Sequence, residues 1–351
     1  MNQKIKIIRI DKSKIQDVDF DNFSFGSLFT DHMFECDFIN GKWTNPTIKP
    51  YQPISIEPSA SVLHYGQAIF EGMKAYKDKN DVVWLFRPDQ NFERINKSAV
   101  RMAIPEFPKE LFYEALTTLV KIDSDWVKHG DGRSLYIRPF VIGNEFAIQA
   151  VPSKNYKFMI ICAPATLYYT KKLKVLVADK FSRAASGGVG YAKAAGNYAG
   201  QFYPTRLAND EGFDQVIWTD AKEHSYLEEA GTMNIFFRIN DTLITAPTTD
   251  TILDGVTRKS LIQIAKDIGI NVEIKKLKVE ELKNAAKNGS LKEIFGAGTA
   301  AVVSQINAFQ HKGEFFELDK QDNSYAEKLK SNLVGIQTNQ LEDHHNWRYK
   351  I

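Results

Sequence analysis

The order of strand-like and helix-like segments is the sequence feature that most restricts the fold of this chain. Runs rich in β-branched and aromatic residues predict strands at 82–86, 135–140, 157–162, 215–219 and 234–239. A helix is predicted over 89–103, where apolar residues recur at spacings of three, four and three, and a second helix follows Arg258. These elements do not alternate as regular βαβ units, so the pattern favours an α+β fold.

The length of the chain predicts two domains. Its 351 residues exceed one average domain, and no internal repeat suggests a solenoid or a propeller. We place the division in the polar, basic stretch that follows Thr166. This gives an N-terminal domain over 1–164, an interdomain linker over 165–175 and a C-terminal domain over 176–351.

Charge and hydropathy exclude several classes of function. The chain has 45 Lys and Arg against 43 Asp and Glu, so no overall field attracts nucleic acid or an anionic membrane. No apolar run is long enough for a membrane span, and the first residues do not form a signal peptide, so we expect a cytoplasmic protein. Cys36 and Cys162 have apolar sequence neighbours and are expected to be buried free thiols.

Several common catalytic patterns have little support. The histidines lack the paired spacing of metal ligands, so no metal is expected. No serine stands in a GxSxG motif. Residues 296–301 match the dinucleotide fingerprint GxGxxA, but polar, turn-like residues follow instead of an amphipathic helix. An NAD-dependent dehydrogenase is therefore kept only as an alternative.

The segment 186–200 holds a single lysine, Lys193, among glycines and alanines. Small neighbours would let a planar ligand approach the backbone closely. Partial burial of the lysine would favour the neutral amine that forms a Schiff base. A flexible glycine loop with a solvent-exposed lysine explains the same pattern equally well.

Two turns offer donors for an anion. Residues 255–257 open the predicted second helix, where backbone N–H groups and a hydroxyl can meet a phosphate. Residues 298–300 form a second cluster of backbone donors with a hydroxyl. Each turn alone fits an ordinary helix start or loop, but together with an isolated lysine they suit a phosphorylated aldehyde cofactor.

Two charged positions are ambiguous from their local context. A buried Glu229 would keep a pyridine nitrogen protonated, although Glu228 and Glu229 together also fit a surface turn. Arg94 lies opposite the apolar stripe of the helix predicted over 89–103, where periodicity favours a solvated basic face.

Several motifs occur in a recognisable order along nearly the whole chain: YGQAIFEGMKA at 65–75, FRP at 86–88 with FER at 92–94, YIRPFVIG at 136–143, GGVGYAKAAGNY at 187–198, EAGTMNIF at 229–236, GVTR at 255–258 and GTA at 298–300. In this order they resemble the branched-chain amino acid aminotransferases, which belong to the pyridoxal-phosphate fold-type IV enzymes. The resemblance implies an α+β fold with a smaller N-terminal α/β domain and a larger C-terminal domain. It also implies the cofactor pyridoxal 5′-phosphate and a homodimer.

The resemblance assigns cofactor-binding roles to the matching positions. Lys193 would be the catalytic residue and would hold the cofactor as an internal aldimine. Glu229 would pair with the pyridine nitrogen, and Tyr198 would lie near the phenolic oxygen. The phosphate would be bound by Arg94, Val256, Thr257 and Thr299.

The resemblance also assigns substrate-binding roles. The walls of an apolar side-chain pocket would be Tyr65, Phe70 and Tyr136. Arg138 would bind the distal carboxylate of glutamate, and Thr299 with Ala300 would bind the substrate α-carboxylate.

The implied activity is reversible transamination of leucine, isoleucine and valine with 2-oxoglutarate, through ping-pong kinetics. The partners would be these small molecules, with no nucleic acid and no membrane. D-amino acid aminotransferases and aminodeoxychorismate lyases share the lysine and the glutamate, but the apolar pocket residues and Arg138 argue against both. A protein that binds the cofactor without catalysis is a further alternative. A yellow colour that leucine bleaches and 2-oxoglutarate restores would separate these functions.

Overall fold

The computed structural model describes residues 4–166 and 171–351. The strands are, in chain order, β1 (Lys6–Ile7), β2 (His32–Ile39), β3 (Lys42–Pro50), β4 (Ala68–Phe70), β5 (Met73–Lys77), β6 (Val83–Phe86), β7 (Ser134–Gly143), β8 (Tyr156–Ala165), β9 (Leu173–Val177), β10 (Gln215–Thr219), β11 (Tyr226–Ala230), β12 (Met233–Ile239), β13 (Thr242–Thr245), β14 (Asn271–Ile274), β15 (Leu277–Lys278), β16 (Leu291–Gly298), β17 (Val302–His311), β18 (Glu314–Glu317) and β19 (Arg348–Lys350). The α-helices are α1 (Ser61–Tyr65), α2 (Pro88–Arg101), α3 (Lys109–Ile122), α4 (Gly196–Asp210), α5 (Val256–Asp267), α6 (Val279–Lys287) and α7 (Tyr325–Gln337).

The chain divides into two compact units. The first consists of Met1–Tyr168, Ala192–Gly196 and Ile336–Ile351, and the second of Tyr169–Tyr191 and Asn197–Gly335. Each unit has its own sheet, and neither sheet is built from regular βαβ repeats. The α+β class expected from the order of elements is therefore confirmed.

The division differs from the boundaries drawn on the sequence. The C-terminal segment belongs to the first unit, because β19 pairs with β6 and the N–H of Ile351 donates to the carbonyl of Val83 at 3.0 Å. The short segment 192–196 also belongs to the first unit. Within the linker expected over 165–175, residues 167–170 lie outside the described residues, and β9 begins at Leu173.

The sheet of the first unit has nine strands and is almost entirely antiparallel. Its order is β1-β3-β2-β8-β7-β5-β6-β19, with β4 paired to β7 and only the β1–β3 pair parallel. Phe158 on β8 is fully buried and stacks on Phe107 with ring centroids 3.8 Å apart. Phe112 on α3 contacts the same ring edge-on, so this helix covers one face of the sheet.

The sheet of the second unit has ten strands and is mixed. Its order is β14-β13-β12-β16-β17-β9-β10-β11-β15, with β18 paired to β17. Strand β9 runs parallel to both of its neighbours, β10 and β17, whereas the β12–β16–β17 meander is antiparallel. A buried apolar cluster that includes Val175, Phe237 and Phe309 supports this sheet.

The elements with the strongest local patterns are confirmed. All five predicted strands are present, the first predicted helix is α2, and the second is α5. Cys36 and Cys162 are buried and free, and burial raises the pKa of the Cys36 thiol to about 12. None of the helices among residues 4–166 and 171–351 is long and apolar enough to cross a bilayer.

The dinucleotide-binding alternative is wrong. The GxGxxA match ends β16 at Gly298, and an antiparallel strand, β17, begins at Val302. A dinucleotide fingerprint needs a strand, a glycine turn and then a helix whose N-terminus receives the pyrophosphate. Here the turn joins two strands of a hairpin, so no helix follows it.

Asp78 ties the C-terminal segment to the turn between β5 and β6. Its carboxylate accepts hydrogen bonds from Trp84 Nε1 at 2.8 Å and Asn339 Nδ2 at 2.7 Å, and from the N–H groups of Asn80 and Val82. Burial raises the pKa of this carboxyl, but the hydrogen bonds outweigh burial and lower it to about 2.

We expect Asp78→Asn to lower the free energy of unfolding at pH 7 by about 1 kcal/mol. Because the pKa is lower in the folded protein, the stabilisation is present above the ordinary carboxyl pKa of about 3.9 and is lost as the pH falls towards 2. Denaturant unfolding at pH 7, 5, 3 and 2 measures this difference. The exposed Asp11, replaced by asparagine, is the control. A difference between wild type and Asp78→Asn that stays constant down to pH 2 would contradict the prediction.

Candidate active site

The backbone of Lys193 is fixed on two sides. The N–H of Phe70 donates to the carbonyl of Lys193 at 3.0 Å, and the N–H of Ala195 donates to the carbonyl of Ala68 at 3.0 Å, so the segment 192–196 lies along the edge of β4. On the other side, the N–H of Lys193 donates to Ser98 Oγ on α2 at 2.9 Å. The interpretation of a flexible glycine loop is therefore wrong for residues 193–195.

Four of the predicted residues lie together around one aromatic ring of the first unit. Lys193 Nζ lies 4.7 Å from the centroid of the Phe70 ring, and Arg138 Cζ lies 4.6 Å from the same centroid. Arg138 Nη2 also donates to the hydroxyl of Tyr136 at 3.0 Å. We call Phe70, Tyr136, Arg138 and Lys193 the lysine cluster. It presents an amine and a guanidinium beside aromatic faces.

Tyr65, the other predicted pocket residue of the first unit, is placed differently. It is the last residue of α1, and its side chain is 45% exposed. Its described ring neighbour is His64, at 6.1 Å. The structure therefore does not bring Tyr65 into contact with the lysine cluster within the part of the chain that it describes.

Arg94 is buried, so the interpretation of a solvated basic face is wrong for this residue. Its Nε donates to Glu71 Oε1 at 2.6 Å and its Nη2 to Glu71 Oε2 at 2.9 Å, a two-point ion pair. Glu71 directly follows β4, so α2 turns this arginine towards the strand that also fixes Lys193. Periodicity could not reveal this, because a helix packed against a sheet edge can bury polar as well as apolar positions.

The ion pair keeps the Glu71 carboxyl charged. Burial raises its pKa, but the charge and hydrogen bonds of Arg94, the charge of Lys193 and a hydrogen bond from Asn91 outweigh burial. The pKa of Glu71 therefore lies below its usual range.

Glu229 is a buried carboxylate of the second unit. Its Oε1 accepts hydrogen bonds from Asn234 Nδ2 and from the N–H of Leu253, both at 3.0 Å, and its Oε2 pairs with Arg183 Nη2 at 2.7 Å. Arg183 also donates to the backbone carbonyls of Gly190 and Thr251. The surface-turn interpretation is wrong, and the arginine provides a fixed positive charge that stabilises the carboxylate.

The start of α5 lies beside Glu229. Asn234, which donates to Glu229, also donates through Nδ2 to the carbonyl of Leu253 at 2.8 Å. Gly255 is the N-cap of α5 and has no side chain to cap the first amides of the helix. Val256 and Thr257 follow in the buried first turn, where backbone N–H groups and the helix dipole favour an anion.

The turn at Thr299 and Ala300 joins β16 to β17. Ala297 on β16 pairs with Asn234 on β12, and Asn234 is the residue that donates to Glu229. The turn begins two residues after Ala297. Tyr198 lies on α4 and is half-buried; its neighbour Asn197 donates through Nδ2 to the carbonyl of Val189 at 2.8 Å. The second unit thus combines a buried carboxylate, a helix N-terminus and a turn rich in backbone donors.

Four residues that organise these groups were not singled out from the sequence: Ser98, which binds the Lys193 backbone, Glu71, which pairs with Arg94, and Arg183 and Asn234, which hold Glu229. Glu71 and Asn234 stand inside recognised motifs, which is the one signal that could have drawn attention to them. The partners of Ser98, Glu71 and Arg183 are distant in sequence, so no local spacing connects them, whereas Asn234 lies five residues from Glu229.

A family model described as "Amino-transferase class IV" matches residues 68–309. The matched range includes every predicted site residue except Tyr65.

Two curated relatives are similar to the chain over almost its full length. A Staphylococcus epidermidis protein named a probable branched-chain-amino-acid aminotransferase is 43% identical over 357 residues, covering 100% of this chain and 99% of that protein. The Bacillus subtilis protein named branched-chain-amino-acid transaminase 1 is 44% identical over 336 residues, covering 94% of each chain.

Solved structures share the fold. The branched-chain aminotransferase from Thermoproteus uzoniensis, determined with norvaline, has a TM-score of 0.75 at 24% identity, covering 91% of this chain and 99% of that one. The Escherichia coli branched-chain amino acid aminotransferase has a TM-score of 0.73 at 24% identity, covering 91% and 98%. The expected fold-type IV architecture is therefore confirmed.

We expect Gly255→Ala to lower the free energy of unfolding by about 1–3 kcal/mol. A Cβ at this position would overlap Asn234 Oδ1, so the side chain that holds Glu229 would have to move. The control is Gly200→Ala, at an open position on α4 where alanine should stabilise the helix by about 0.5–1 kcal/mol. Denaturant unfolding of both variants measures the effect. Equal stability of Gly255→Ala and wild type would show that the α5 start tolerates a side chain.

Proposed function

We propose that this chain, which belongs to the class IV aminotransferase family, catalyses the reversible transamination of leucine, isoleucine and valine with 2-oxoglutarate. The names of its full-length relatives support this substrate class. The structural observation that carries the proposal is the lysine cluster, in which a fixed lysine lies beside aromatic faces and a guanidinium. This combination suits both an apolar side chain and a carboxylate.

The cofactor of this family is pyridoxal 5′-phosphate, and the donor set of the chain fits it. Lys193 supplies the primary amine that reacts with the aldehyde. Glu229 is a buried carboxylate with a charge fixed by Arg183, which suits a protonated pyridine nitrogen. The uncapped start of α5 suits the phosphate. In this proposal the residues that bind the phosphate are Arg94, Val256, Thr257 and Thr299, and Tyr198 binds the phenolic oxygen.

The chemical steps depend on two side chains. Pyridoxal phosphate, when bound, supplies an electron sink for the electrons released at the substrate α-carbon. The ε-amine of Lys193 would remove the α-proton of the substrate and return it on the same face, while the bound cofactor would take up the electrons. Glu229 holds the proton on the pyridine nitrogen, because an ion pair in a buried place stabilises both charges. The same residues serve both half-reactions, and the first 2-oxo acid leaves before the second one binds, so we expect ping-pong kinetics.

The substrate pocket has to accept two kinds of side chain. In the proposal, Tyr65, Phe70 and Tyr136 contact the apolar side chains. Arg138 binds the distal carboxylate of glutamate, because its Nε is buried and has no hydrogen-bond partner among the described residues. Thr299 and Ala300 bind the α-carboxylate through backbone donors and a hydroxyl.

The proposal also covers assembly and location. We expect a homodimer, on the family resemblance, and a cytoplasmic enzyme. Size-exclusion chromatography with light scattering tests the first, and a monomer with full activity would contradict it.

We expect Lys193→Ala to abolish the visible absorbance of the lysine-bound cofactor and to reduce turnover of leucine at least about 10²-fold, because both attachment and proton transfer are lost. The control is Lys121→Ala, at an exposed position on α3. Spectra and single-turnover kinetics measure both effects. A half-reaction at the wild-type rate in Lys193→Ala would refute the assignment.

We expect Arg138→Ala to lower kcat/KM for glutamate by about tenfold or more and to change that for leucine by less than about threefold. The guanidinium contributes charged hydrogen bonds only to a substrate that carries a second carboxylate. Arg133→Ala serves as the control, since Arg133 pairs with the exposed Asp21. Equal losses for the two substrates would show that Arg138 supports the fold of the pocket rather than glutamate recognition.

A further inference from the structure

Glu71 is a fully buried carboxylate to which the proposed function gives no role. Its oxygens accept hydrogen bonds from Arg94 Nε at 2.6 Å, Arg94 Nη2 at 2.9 Å, Asn91 Nδ2 at 2.7 Å and the N–H of Gly72 at 3.0 Å. Four well-formed bonds satisfy both oxygens. A buried carboxylate held in this way has no freedom to choose another partner.

The position of Glu71 is itself fixed by the sheet. Its N–H donates to the carbonyl of Pro139 on β7 at 2.7 Å, and the preceding residue, Phe70, is bonded to Lys193. The backbone at residues 70–71 therefore both carries the Glu71 carboxylate and fixes the Lys193 segment. Glu71 therefore connects the sheet to the guanidinium of Arg94.

Helix α2 closes the arrangement from the other side. Ser98 Oγ donates to the carbonyl of Arg94 at 2.9 Å and accepts the N–H of Lys193 at 2.9 Å. Arg94 and Lys193 are thus anchored to one helical turn, and Glu71 is the carboxylate that interacts with both of their charges. The other charged side chains on the adjoining strands are Lys74 and Lys77 on β5 and Arg138 on β7, all cationic.

We propose that Glu71 is a positioning residue: by its two-point pairing it sets the Arg94 guanidinium in the orientation from which that arginine binds the phosphate of the cofactor. The inference rests on the proposed function. Arginine has many rotamers, and ordering such a side chain during binding weakens affinity. A guanidinium that is already fixed by a carboxylate binds a phosphate without that ordering step.

A structural role alone would predict a different outcome, and the chain contains a matched pair for comparison. In the second unit the buried Glu293 accepts a hydrogen bond from Arg238 Nη1 at 3.1 Å, and further bonds from Ser324 Oγ and the N–H of Tyr325. Glu293→Gln removes one buried charge of an arginine pair, as Glu71→Gln does, but at a place with no proposed role in cofactor binding.

The experiment compares pyridoxal phosphate with pyridoxal, which has the same ring and aldehyde but no phosphate. Full-length wild type, Glu71→Gln, Glu71→Asp and Glu293→Gln are freed of cofactor, and the dissociation constant of each compound is measured by absorbance. Thermal unfolding of each apoprotein reports the loss of stability.

We expect Glu71→Gln to bind pyridoxal phosphate about tenfold more weakly or worse, and pyridoxal within about twofold of wild type. Glu71→Asp, which keeps the charge on a shorter side chain, should recover part of the lost affinity. Glu293→Gln should unfold at a lower temperature than wild type and bind both compounds normally. In an Arg94→Gln background, adding Glu71→Gln should weaken pyridoxal phosphate binding no further.

Two results would overturn the proposal. The first is wild-type affinity of Glu71→Gln for pyridoxal phosphate, and the second is an equal loss for both compounds, which would indicate a general disturbance of the fold. If Glu71→Gln does not fold, the two dissociation constants are compared in Glu71→Asp instead. Wild-type affinity of Glu71→Asp for pyridoxal phosphate would then contradict the proposal that the two-point pairing with Arg94 sets this affinity. A wild-type protein that binds neither compound and does not transaminate would instead refute the proposed function.

Discussion

The backbone hydrogen bond from Phe70 to Lys193 is the interaction on which the rest of the first unit's site depends. It joins two residues that are far apart in sequence, and with the Ala195–Ala68 bond it makes the segment 192–196 part of the β4 edge. Since a strand alternates its side chains, fixing this edge decides where Phe70 and Glu71 point relative to the lysine. This register therefore fixes the positions of the Lys193 amine, the Arg138 guanidinium and the Arg94 ion pair relative to one another.

Each of the two units compensates a buried charge with a partner of opposite sign. Two buried ion pairs show this: Arg94 has Glu71 within hydrogen-bond distance, and Glu229 has Arg183. Buried charges are tolerated only when paired and hydrogen-bonded. The nearly balanced composition of the chain therefore reflects local pairs as well as a solvated surface, and anionic ligands must be held by particular groups because no net field attracts them.

The sequence predicted what depends on local periodicity and on motif order. The strands around Phe158 and Phe237 and the helices α2 and α5 have clear patterns, and the recognised motifs identified Lys193 and Glu229 as candidates. Pairings between distant segments could not be predicted, because nothing in the sequence connects Glu71 with Arg94 or Arg183 with Glu229. The return of residues 336–351 to the first unit was missed for the same reason, since it depends on the pairing of β19 with β6.

The packing of Arg138 bears on the proposed function, in which one pocket takes both an apolar and an acidic substrate. Its guanidinium lies over the Phe70 ring, 4.6 Å from the centroid, and donates to the Tyr136 hydroxyl, so it is stabilised when no carboxylate is present. Its Nε is buried and without a partner among the described residues, and in the proposed function it supplies a further donor for the distal carboxylate of glutamate. A lysine here would lack the planar face that stacks on Phe70. In the proposed function, the aromatic ring therefore stabilises the half-buried cation when an apolar side chain lies beside it.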